Sequence, residues 1–130
     1  MDYIVSFLVF GVTFALIDAV WLKSMKSLYK KELGGLLRHK PDLLVAVVFY
    51  LLYILGATFL VVMPAVAAGE WWHSAAMGLL FGAVAYATYD LTNLSTLKGW
   101  SKKISAIDIA WGALLTAISS TAAYFVVVWL

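Results

Sequence analysis

The sequence predicts an all-α membrane protein, a four-transmembrane-helix bundle with both termini outside and two basic cytoplasmic loops. Three observations predict it. Hydrophobic residues fill 65% of the 130 positions and the mean hydropathy is +0.97, more apolar surface than a soluble domain of this size can bury. Charged residues make up only 12% and are clumped, leaving stretches long enough to cross a hydrocarbon layer of roughly 30 Å at about 1.5 Å per helical residue. All nine Lys and Arg fall in two segments that the spans would place on one side.

The spans follow in order within a single integral membrane domain, residues 1–130. The first runs from about Tyr3 to Leu22, the second from Leu43 to Met63 with Pro64 near its end, the third from Ser74 to Leu97 and the fourth from Ile104 to Leu130. Backbone groups in lipid must be paired within the chain, and segments of this length and number do so as helices. The first 21 residues begin with an acid and lack a basic start or a small-residue cleavage site, so they read as a retained helix.

Lys23, Lys26, Lys30, Lys31, Arg38 and Lys40 lie between spans one and two, and Lys98, Lys102 and Lys103 between spans three and four. Basic loops stay cytoplasmic, which sends the termini and the "AAGEWWH" turn outward and places Trp71, Trp72 and Trp129 at an outer aromatic belt. In the first basic loop, Leu22, Met25, Tyr29 and Leu33 recur at helical spacing. They fit either an interfacial helix ended by Gly34-Gly35 or a solvated continuation of span one. Lys40-Pro41-Asp42 reads as a helix start with Pro41 in the first turn.

Composition excludes several chemistries. There is no cysteine, hence no disulfide and no thiolate site. His39 and His73 fall in opposite loops, so a histidine-based iron, haem or zinc centre has no ligand set. No metal or other cofactor is expected. No glycine-rich phosphate loop occurs, and no basic stripe points to nucleic acid. The bilayer is the expected partner, together with a small cationic or lipid ligand.

Three acids lie inside the spans: Asp18, Asp90 and Asp108. Each sits roughly 7 to 12 Å from the lysine-bearing end of its helix. A carboxylate facing lipid is costly, so all three should face the bundle interior or a polar pocket. Tyr86, Tyr89, Asp90, Asn93 and Thr96 fall within an arc of about 120 degrees on span three. Asp108, Trp111, Gly112, Leu115 and Ser119 share a face of span four, where small residues admit a neighbouring backbone. Asp18 shares its side with Gly11, Phe14, Trp21 and Leu22, and Tyr50 and Tyr53 of span two can add hydroxyls. The candidate ligand or proton site is therefore Asp18, Trp21, Tyr89, Asp90, Asn93, Thr96, Asp108 and Trp111. The same carboxylates can instead act as glue, accepting hydrogen bonds from Trp, Tyr, Thr or Asn of neighbouring helices.

The segments "IDAVWL", "KPDLLVAVVFYLLY", "YDLTNLSTLKGW" and "DIAWG", in this order, resemble the small bacterial four-helix membrane proteins of domain-of-unknown-function family 2177 across nearly the whole chain. The resemblance implies a multi-pass protein of the bacterial inner membrane. Its recurring residues map onto Asp18, Trp21, Tyr89, Asp90, Thr92, Asn93, Thr96, Trp100, Asp108 and Trp111, and it brings no activity with it. In size, helix count and a carboxylate in span one the chain is also similar to small multidrug-resistance exporters. Those place a Glu there and often have balanced loop charges, whereas the lysine bias here would permit only a parallel homo-oligomer.

Three functions fit these residues. One is proton-linked binding or transport of a small or cationic ligand, with Trp21, Tyr89 and Trp111 supplying aromatic faces and Asn93 and Thr96 neutral hydrogen bonds. Another is an enzyme acting on a lipid or isoprenoid through a carboxyl pair. The third is a non-catalytic partner subunit, suggested by the small residues Gly78, Gly82 and Gly112.

Overall fold

The computed structural model describes residues 1–130 and is helical almost throughout. Helix α1 covers Asp2–Leu33, α2 Leu43–Ala57, α3 Met63–Ala68, α4 Trp71–Thr96 and α5 Lys102–Trp129. A π-helical segment, Thr58–Val62, joins α2 to α3, so these form one continuous rod and the bundle has four helices. The α1, α2–α3 and α5 rods are each long and apolar enough to cross a membrane. At 26 residues α4 is also long enough, but the polar stripe read in its sequence dilutes its apolar character.

Local chemistry sets the boundaries. The Asp42 carboxylate accepts the Val45 N–H at 3.2 Å and Ser101 Oγ accepts that of Ile104 at 3.1 Å, each capping free donors at a helix start. Helix α2 thus starts at Leu43, two residues after Pro41, which precedes the Asp42 cap and does not enter the first turn as the sequence suggested. Gly69 closes α3 with φ 71°, a left-handed conformation that leads directly into α4. Pro64 has no N–H for the carbonyl four residues back, and its ring crowds that carbonyl. The Met63 N–H bonds to Thr58 O, five residues back, so the widened turn just before the proline absorbs the misfit.

Helix α1 continues unbroken past the lysines to Leu33, ending in a single 3₁₀ turn at Gly34–Leu36. This is the continuation of span one and not a separate interfacial helix. The segment is tied to the loop after α4, where Ser101 Oγ donates to Glu32 at 3.3 Å. The two lysine-bearing connections therefore meet at one end of the bundle.

Helix α5 is the centre of the fold, packed along α4 on one side and α1 on the other. Close approach to α4 depends on glycine. A Cβ on Gly82 would collide with the Gly112 carbonyl oxygen and the Thr116 side chain, and one on Gly112 would enter the Tyr86 ring. The small residues offered as an association surface are thus consumed inside the chain. Phe10, Phe14, Tyr53, Val62 and Leu115 form the apolar core between α1, the α2–α3 rod and α5. Outward residues such as Leu44, Leu52, Leu60 and Val20 are exposed, as lipid-facing positions require.

One buried polar contact crosses this core. Thr116 donates its hydroxyl proton to Gly112 O at 2.7 Å, so the 2.7 Å contact between Tyr53 and Thr116 has Tyr53 as donor. Tyr53→Phe removes that donor and leaves only a spare acceptor lone pair on Thr116. We expect a loss of about 1 kcal/mol, read as a lower midpoint of thermal unfolding in detergent. An unchanged midpoint would show that the bond adds nothing to the core.

Candidate functional site

Toward the lysine-bearing end, residues of α1, α2, α4 and α5 and of the connections line a cavity of about 420 Å³. Asp18 from α1, Asp90 from α4 and Asp108 from α5 all reach it, so the three acids do converge. No Lys, Arg or His lines it. Most of the wall is apolar or aromatic, with Phe49 and Tyr50 on the α2 side, Tyr86 and Tyr89 on the α4 side, and Leu37 and Trp100 at the connections.

The acids differ sharply in their surroundings. Asp18 is saturated, with Oδ2 accepting the Tyr50 hydroxyl at 2.8 Å and Oδ1 accepting Trp111 Nε1–H at 3.1 Å. It ties three helices together. Asp108 is half engaged, because Oδ1 accepts the Tyr29 hydroxyl at 2.9 Å. Tyr29 is held in turn by Trp21 Nε1–H, which donates to its oxygen at 3.3 Å. Trp21 and Trp111 stack face to face with centroids 4.2 Å apart and 6° between their planes, so the indole N–H groups of one stacked pair serve two different branches of the network.

Asp90 is the exception. It is 0% exposed, and neither of its carboxyl oxygens receives a hydrogen bond from a hydroxyl, indole or amide group; the one partner in reach is the Asp108 carboxyl, with which it can share a proton. Its carboxyl neighbours that of Asp108. Buried polar groups are nearly always paired, and leaving a buried carboxyl without donors is strongly unfavourable. An unpaired acid that lines a cavity is therefore the feature that structure alone does not account for.

The eight residues read from the sequence divide accordingly. Asp18, Tyr89, Asp90 and Asp108 line the cavity. Trp21 and Trp111 stand behind it, holding Tyr29 and Asp18. Asn93 and Thr96 lie outside the lining. Thr96 is exposed and donates to Thr92 O at 2.9 Å, while Thr92 bonds back to Thr88 O and Thr88 to Val84 O. Hydroxyls that satisfy themselves on their own helix make a stripe look polar without making it a site.

Several lining residues were not placed in the site by the sequence, notably Tyr29, Leu33, Tyr86 and Trp100. For Tyr29 and Leu33 the sequence offers either an interfacial helix or a solvated continuation of span one. Continuing the helical register from Asp18 and Leu22 puts both on the Asp18 face, eleven and fifteen residues on, a signal that was present. Trp100 was marked only by the family resemblance and by no periodicity, because its place depends on how the loop after α4 folds back. There its indole N–H donates to Ser105 Oγ at 3.1 Å and its ring meets Tyr89 edge-on at 5.6 Å.

No curated protein and no solved structure matches the chain. A family model described as Predicted membrane protein (DUF2177) matches residues 3–125 of the 130. That span reaches into all four helices and includes every residue of the cavity, and the chain belongs to this family of membrane proteins, domain-of-unknown-function family 2177.

Proposed function

We propose that the protein is a single membrane domain of the bacterial inner membrane that binds a small cation in the cavity from the cytoplasmic side, exchanging it for a proton. Crossing the bilayer four times with both lysine-bearing connections in the cytoplasm accords with the distribution of basic residues. The observation that carries the reading is the cavity's chemistry. Three carboxyls, one of them without any donor, meet in a pocket with aromatic walls and no basic side chain.

Such a pocket attracts a cation through the carboxylates and through ring faces. In a low-dielectric bundle, net charge is costly, so arrival of a cation is best balanced by departure of a proton from the Asp90–Asp108 pair. Leu22 and Phe49 line the α1–α2 side and are about half exposed at 50% and 49%. They give an amphipathic ligand an apolar approach. The volume lies within the usual range of small-molecule sites, about 300 to 1,000 Å³.

The test is proteoliposomes loaded with a pH-sensitive dye and exposed to a panel of organic and inorganic cations. Cation-dependent proton movement that Asp90→Asn abolishes is the expected result. Absence of both flux and binding across the panel would remove the proposal.

A second reading keeps one specific observation. Asp18, saturated by donors, and Asp90, with none, are carboxyls in contrasting environments, as an acid and base pair acting on a lipid would need. The lipid profile of a deletion strain separates the two: an accumulated lipid precursor favours the enzyme, and an unchanged profile leaves the cation-binding reading.

A further inference from the structure

We infer that the cavity receives the protonated head of a primary amine on an apolar or aromatic body, with the ammonium seated between Asp90 and Asp108. The inference rests on the cation-binding reading above and adds the class of cation.

Hydrogen-bond supply and demand within the cavity select the head group. Asp90 Oδ1 and Oδ2 are buried and without donors, and Asp108 has given only Oδ1, to Tyr29. A proton held by the pair can bridge Asp90 and Asp108; once it leaves, three carboxyl oxygens on two neighbouring groups are without a protein donor. A primary ammonium carries three N–H donors on one compact centre, while a carboxyl offers acceptors on both oxygens. Donor and acceptor numbers match. Asp18, with both oxygens satisfied, stands apart from this demand and holds the wall in place.

A quaternary ammonium fits the charge but not the oxygens. It has no N–H, so its methyl groups would lie against Asp90 and leave the carboxyl as unpaired as before. A site that demands donors rejects an analogue lacking them far more strongly than an apolar pocket rejects a change of shape. The remainder of the ligand is constrained by the rest of the wall. Phe49, Tyr86 and Trp100 offer ring faces and edges, and Leu33 and Leu37 line the part nearest the lysine-bearing connections. An aromatic or short alkyl body extending from the ammonium toward Leu37 meets apolar surface along its length. The exchange balances in charge: R–NH₃⁺ enters and one proton leaves the carboxyl pair for water, with no bond to the ligand made or broken.

The same head group occurs on free amines and on phosphatidylethanolamine. The absence of a basic side chain in the lining leaves a lipid phosphate without a partner there, which favours the free amine. Calorimetric titration of the purified protein in detergent compares 2-phenylethylamine with its N,N,N-trimethyl analogue at equal concentration. We expect the primary amine to bind at least about 10-fold more tightly and its binding to be lost in Asp90→Asn. Competition by phosphatidylethanolamine and not by phosphatidylcholine would assign the head group to lipid; lack of competition by either assigns it to the free amine.

Comparing two ligands on the native protein requires no variant to fold. Equal binding of the two compounds would overturn the ammonium assignment while leaving cation binding intact. Binding of neither would also overturn the ammonium assignment, and the cation panel in proteoliposomes then decides separately whether cation binding stands.

Discussion

Gly82→Val should separate α4 from α5 and destabilise the protein by more than about 3 kcal/mol, the upper range for overpacking. A Cβ at Gly82 meets the Gly112 carbonyl oxygen and Thr116, and a backbone atom in the middle of a helix cannot move aside as a side chain can. Valine adds two further methyl groups to the same collision. The damage would extend to the cavity, because Gly112 is itself covered by the ring of Tyr86, which lines it. Thermal unfolding in detergent gives the readout, with Gly35→Ala as control. A Cβ on Gly35 meets nothing within 4 Å, and this variant should melt with the native protein. If Gly82→Val melts with the native protein as well, the close α4–α5 contact is not a determinant of the fold.

The second large effect separates two acids that look equivalent in the sequence. Asp18→Asn should destabilise by about 1–3 kcal/mol. Asparagine has one acceptor oxygen where Asp18 uses two, so either the Tyr50 hydroxyl or the Trp111 indole N–H would face an amide NH₂. Asp90→Asn breaks no hydrogen bond from a hydroxyl, indole or amide donor, its amide N–H can take the place of the proton shared with Asp108, and it removes a buried acidic group. Its stability should be unchanged or raised by about 0.5–2 kcal/mol, the range typical when a group kept for function at a cost to stability is replaced. Cation binding should show the reverse pattern, lost in Asp90→Asn at full stability.

Much of this was legible in the sequence, for identifiable reasons. Helix number followed from apolar length and the start of α2 from Asp42, because these are local; the end of α1 did not, since the helix runs eleven residues past the apolar span that stops at Leu22. The convergence of Asp18, Asp90 and Asp108 followed from their shared depth and from the cost of presenting carboxylates to lipid. The division of labour among the acids was not legible. It depends on which neighbours reach which oxygen: Tyr50 lies 32 residues from Asp18, Trp111 lies 93 residues from it, and Tyr29 lies 79 residues from Asp108. No periodicity encodes a pairing between helices at such separations.

Asn93 and Thr96 were included for a related reason. Face-sharing on a helix says which way a residue lies, whereas the cavity closes one turn earlier, at Asp90, where Trp100 and Tyr89 meet. The π-helical turn at Thr58–Val62 likewise had only Pro64 as its sign. A proline in a membrane helix can be accommodated by a kink, a break or a widened turn, and packing of the rod against its neighbours chooses among them.

The central claim is that Asp18 holds the cavity together while Asp90 is left bare for a ligand. Thermal unfolding of the native protein, Asp18→Asn and Asp90→Asn, each with and without 2-phenylethylamine, tests it in one measurement. The account predicts a lower midpoint for Asp18→Asn, a native or higher midpoint for Asp90→Asn, and a ligand-induced rise that Asp90→Asn alone abolishes while remaining fully folded. An Asp90→Asn protein that melts well below the native one without ligand would contradict it, because Asp90 would then be part of what holds the bundle together.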